Sequence, residues 1–123
     1  MVERLTQMQY CIGMANADMD FRTRIVEEAC LVAGGCTAVH ANGYWVVGAE
    51  VEQAIYHGHT QSEFCLILNV LVPNNKAEQT RQHMKYAIID AARDLLVDID
   101  WVHVTSQWVM THHFSIADDD RRT

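Results

Sequence analysis

The chain has 123 residues, half of them hydrophobic and a fifth charged, with one proline and six glycines. That mix fits a single globular domain, 1–123, and argues against disorder; no run approaches the ~18 apolar residues of a membrane span. Nine basic against sixteen acidic side chains give a net charge of −7, which speaks against nucleic acid and favours a cationic ligand or a partner with a basic surface.

The first residues, Met1 to Gln9, carry Glu3 and Arg4 and lack the pattern of a secretory signal. From Met8 to Ala15, Tyr10, Ile12 and Met14 alternate with Gln9, Cys11 and Gly13, the period of a strand. Asp18 offers a helix N-cap, with Asp20 in the first turn. Phe21, Ile25, Ala29 and Val32 follow at helical spacing, and Gly34-Gly35 stops the helix. Cys36 to Ala41 and Tyr44 to Val47 are β-prone runs around Asn42-Gly43, the strongest short hairpin signal. Gly48 to Ser62 either extends that hairpin or forms a functional loop. Phe64 to Val72 is apolar at nearly every position, so both faces of this strand should be covered. Pro73 ends it. Asn75 and Glu78 are spaced as a capping box, and Ala77, Thr80, Met84, Ile88, Ala91 and Leu95 recur as the apolar face of a second helix. Trp101 to Thr105 reads as a last strand, continued or followed by Gln107 to Ser115, and the acidic end 116–123 as a frayed tail.

This order predicts an α+β, ferredoxin-like sandwich: an antiparallel sheet with two helices on one face. The bare face of such a sheet, and the apolar strand 64–72, predict a homo-oligomer.

Standard catalytic motifs are absent: there is no hydrolase elbow, P-loop, dinucleotide fingerprint or zinc-protease pattern. Cys11, Cys30, Cys36 and Cys65 form no C-x-x-C pair and sit among apolar residues, which reads as four reduced core thiols of a cytoplasmic protein. His57 with His59, and His112 with His113, supply at most two neighbouring ligands, so no metal site is expected unless an oligomer axis joins copies. Glu50 and Glu52 read as solvated surface, and Trp45, Trp101 and Trp108 as packing residues. Glu63 stands directly before the apolar strand and is either a gatekeeper charge or a functional carboxylate. Tyr44 either covers the sheet or binds a ligand through its phenol.

The stretch from the first helix to Phe64 resembles the phage-encoded S-adenosylmethionine lyases, formerly described as hydrolases. The likeness lies in a helix ending at Ala33-Gly34-Gly35, a glycine-aromatic step at Gly43-Tyr44, and a loop leading to Glu63 before an apolar strand. It implies a ferredoxin-like fold assembled as a trimer, with sites between subunits and no cofactor. It implies that Glu63 and Tyr44 carry catalysis, and that Gly35, Cys36, Thr37 and Tyr56 help bind the substrate, S-adenosylmethionine. Tyr56, nearer to Glu63 in sequence, is the alternative to Tyr44. The implied reaction releases methylthioadenosine and homoserine lactone, and the implied role is to blunt host restriction from the host-cell cytoplasm. The alternative is a non-catalytic oligomeric module of the same fold that binds a small molecule or a host protein.

Overall fold

The computed structural model describes residues 2–47, 59–99, 101–119 and 121. Four strands, β1 (Val2–Met14), β2 (Thr37–Val47), β3 (His59–Pro73) and β4 (Val102–His112), form one antiparallel sheet in the order β2-β3-β1-β4. Two helices, α1 (Met19–Ala33) and α2 (Ala77–Asp94), cover one face. This is the ferredoxin-like arrangement, in which each helix links two strands that flank a third.

The alternation of side chains along each strand decides what is buried. Met8, Tyr10, Ile12 and Met14 of β1 and Leu66, Leu68, Val70 and Val72 of β3 face the helices and are almost wholly inaccessible. They meet Phe21, Ile25 and Ala29 of α1 and Met84, Ile88 and Ala91 of α2 in one core. Both helical faces are those given by the apolar spacing. Asp18 caps α1 by accepting from the Phe21 amide at 2.9 Å, and Gly34 closes it in the left-handed conformation at φ 80°. Two surface contacts join the helices, the Arg24–Asp94 ion pair and a hydrogen bond between His83 Nε2 and Glu28, each at 2.8 Å.

Several expectations are corrected. Asn42-Gly43 makes no turn; β2 runs straight through it and pairs with β3, Gly43 opposite Glu63. The glycine is needed for space: a Cβ there would overlap the Cys65 sulfur, and its φ is not positive. β3 begins at His59, so Glu63 lies inside the strand instead of at its mouth, and 59–62 of the ambiguous segment extend the sheet. Tyr56, His57 and the rest of 48–58 lie outside the described residues. Asn75 caps nothing. A 3-10 turn, Asn74–Lys76, precedes α2, and Glu78 turns to Arg81 and Gln82. Trp101 and Trp108 are not packed within the chain, at 78% and 85% exposed. The cysteines are all free, but only Cys65 is buried; Cys30 is exposed. At the acidic end, Ser115 and Asp118 form a capping box around a 3-10 turn, Ile116–Asp118, and Asp119 binds Arg121.

Candidate functional site

The helix stop and the start of β2 create the first feature. Gly34 turns the chain out of α1, and Gly35, Cys36 and Thr37 carry it onto the sheet edge. With Gln7 and Asn69 they line a cavity of about 510 Å³, within the usual range of small-molecule sites. Asn69 lies opposite both Gln9 and Thr37. Its Oδ1 is buried without a hydrogen-bond partner among the described residues. An unsatisfied buried acceptor costs about 1–3 kcal/mol, a cost that a ligand N–H donor would relieve. Burial pushes the Cys36 thiol above its ordinary value, and the neighbouring Cys30 thiol adds to the effect. Cys36 is therefore a neutral wall of the cavity at physiological pH.

The second feature lies further along the open face. Glu63 lies across Gly13, where any Cβ would overlap its carboxyl group. Cys65 stands beside it and near Cys11. Burial pushes the Cys65 thiol up to about 11, with smaller contributions from Cys11 and from the Glu63 charge. The two glycines, Gly13 and Gly43, thus make a floor on which Glu63 and Cys65 lie flat against the sheet.

The structure brings some of the sequence-derived residues together and separates others. Gly35, Cys36 and Thr37 share one cavity. Glu63 is six residues along β3 from Asn69, roughly 20 Å away at strand rise. Tyr44 pairs with position 62 and so projects to the other face from Glu63, where it is 69% exposed. One chain therefore does not unite Glu63, Tyr44 and the cavity. Among the described residues, no group of three His, Cys, Asp or Glu side chains is placed to hold a metal ion. His112 and His113 are exposed, and His113 Nε2 lies 3.2 Å from the Thr111 hydroxyl.

Sequence reasoning missed Gln7 and Asn69. The signal for Asn69 was present: a lone amide in the middle of an otherwise apolar strand.

This is a ferredoxin-like α+β domain with a small-molecule-sized cavity at the α1–β2 junction. No family model matches the chain, and no curated protein matches it. Solved structures are similar to it. A Bacillus cereus protein related to NIF3 aligns with TM-score 0.51 at 6% identity, over 87% of this chain and 26% of that one. A phage S-adenosylmethionine lyase in complex with S-methyl-5′-thioadenosine aligns with TM-score 0.49 at 9% identity, over 89% and 90%. The PII-like protein CPII from Thiomonas intermedia, bound to ADP, AMP and bicarbonate, aligns with TM-score 0.42 at 9% identity, over 94% and 100%. At these identities the likeness is one of fold, and fold alone does not assign function.

Proposed function

We propose that this protein is an S-adenosylmethionine lyase that works as an oligomer, a trimer by the resemblance of its sequence. The observation that carries this is the cavity at Gly35, Cys36 and Thr37, walled by the unpartnered Asn69 Oδ1. Those three residues are the ones that the sequence resemblance assigns to substrate. An exocyclic adenine N–H would satisfy Asn69. Glu63 of a neighbouring copy would hold the substrate's ammonium group or face its sulfonium, and Tyr44 or Tyr56 would orient the amino-acid end. The net charge of −7 favours a cationic substrate.

The chemistry asks little of side chains. The substrate's own carboxylate attacks its γ-carbon, the C–S bond breaks, and methylthioadenosine leaves as a neutral thioether beside homoserine lactone. The nucleophile is already ionised, so no general base is needed; the leaving group is neutral, so no general acid is needed. What remains is to hold the methionine moiety in an attack conformer and exclude water.

Incubation of the purified protein with S-adenosylmethionine, followed by chromatography, is expected to yield methylthioadenosine and homoserine lactone. Glu63→Gln is expected to abolish turnover while the fold persists. Intact substrate after prolonged incubation would overturn the lyase reading.

The separation of Glu63 from the cavity within one chain favours a second reading, a non-catalytic module that binds a small molecule at Gly34–Thr37 alone. Saturable S-adenosylmethionine or adenosine binding without turnover, unchanged by Glu63→Gln, is its expected signature.

A further inference from the structure

A second cavity lies on the helix side of the sheet, between α2 and β4, and is separate from the first. It encloses about 320 Å³ and is lined by Tyr10, Arg81, Lys85, Ile88, Val102 and Val104 among others. Its two ends differ chemically. Arg81 and Lys85 sit one helical turn apart on α2 and put two cations at one end. One turn on, Ile88 of α2, with Val102 and Val104 of β4, supplies the cavity's apolar lining.

Tyr10 joins the two. It is 1% exposed, and its hydroxyl has a single hydrogen-bond partner among the described residues, the Met8 thioether at 3.9 Å. Thioether sulfur is a weak acceptor, so a buried O–H donor is left nearly unsatisfied at the wall of a cavity. Burial pushes the Tyr10 phenol up to about 12, against the opposing pull of the Arg81 charge. The group is thus a donor at any ordinary pH. A ligand that suits this site needs an acceptor for the phenol, a negative charge for the two cations, and an apolar body.

We propose that the cavity between α2 and β4 binds a small organic acid, with its carboxylate held by Arg81, Lys85 and the Tyr10 hydroxyl and its apolar body against Ile88, Val102 and Val104. The site is partly occupied electrostatically in the free protein. Glu78, outside the cavity, forms a two-pronged ion pair with Arg81. Lys85 lies over the Tyr86 ring, 5.6 Å from its centroid. A bound carboxylate competes with Glu78 for the same guanidinium.

The test uses phenylacetate and octanoate as probes and phenylacetamide as the neutral counterpart, titrated calorimetrically against the full chain. Both acids are expected to bind saturably, and the amide at least tenfold more weakly. Arg81→Gln and Tyr10→Phe are each expected to weaken the acids about tenfold, the scale of a lost hydrogen bond to a charged group. Glu78→Gln, which frees Arg81, is expected to tighten them several-fold; a merely structural role for Arg81 would not produce this gain. Arg81 is surface-placed, so its variant keeps the test open should Tyr10→Phe fail to fold. Absence of saturable binding of either acid, equal binding of the amide, or undiminished binding by Arg81→Gln would overturn the proposal.

Discussion

At Gly43 a methyl group would overlap the sulfur of Cys65, a buried side chain fixed in β3. Gly43→Ala is expected to lower stability by about 1–3 kcal/mol, the cost of overpacking a site that cannot yield, measurable by denaturant unfolding. At Gly13 the overlap is with the far end of Glu63, a flexible side chain. Gly13→Ala is expected to change stability little and to displace the carboxylate, so any turnover that depends on Glu63 should fall with the fold intact. The alkaline limit is also set residue by residue. Tyr10 and Cys65 are neutral when protonated, and burial favours that form, raising them from 10.0 to about 12 and from 9.0 to about 11. Their contribution to stability is whole below the ordinary values and is lost as pH rises through the folded ones. Thermal melts should therefore fall progressively from about pH 9 to pH 12. A melting temperature flat across that window would contradict the burial of both groups.

The helices were legible because a 3.6-residue apolar stripe and a cap leave local traces. Asp18 and Gly34 bracket α1 as expected. The end of α2 left no such trace: Leu96 takes the left-handed conformation at φ 55°, with Val97 donating to the Ala92 carbonyl at 2.9 Å. A side chain there costs roughly 1–2 kcal/mol. Leu96 is 91% exposed and packs on nothing that would justify it. Leu96→Gly is expected to stabilise the protein by about 0.5–1 kcal/mol, after allowance for glycine's greater entropy when unfolded; denaturant midpoints would show it. The strands were legible in their alternation but not in their limits. Asn42-Gly43 carries the chemistry of a turn and of a close approach alike. Only the register with β3, set by residues about twenty positions on, decides between them. The cavity at Gly34–Thr37 was legible on the β2 side, whereas Gln7 and Asn69 enter it through strand pairings that no local pattern encodes.

The whole molecule leaves large apolar side chains in water on both faces of the sheet, Trp108 and Met110 sharing the helix side of β4 with Val102 and Val104. Trp108 and Met110 project from the edge strand β4, and Phe114 and Ile116 follow it, all well exposed. Cys11, Val39, Ile67 and Leu71 lie on the uncovered face of the sheet by strand alternation. Exposed apolar side chains at a sheet edge and on a bare sheet face favour contact with other molecules, and a long unpaired edge strand is a template for another chain. The proposed assembly predicts that the protein sediments above monomer mass and that Trp108→Lys lowers the sedimentation coefficient. A clean monomer at micromolar concentration would also remove the neighbouring Glu63 from the proposed site.

The position of β1 has a consequence in time. It lies between β3 and β4, with Gln7 bonded to Gln107 across a hundred residues of chain. The first strand of the domain thus waits for its last before both edges are paired. Until then the sheet ends at an open β1 edge, and its closing pairing joins residues about a hundred positions apart, a topology that slows folding. Without β4, β1 would remain an exposed edge, so the pairing of β1 with β4 is the event that completes the sheet.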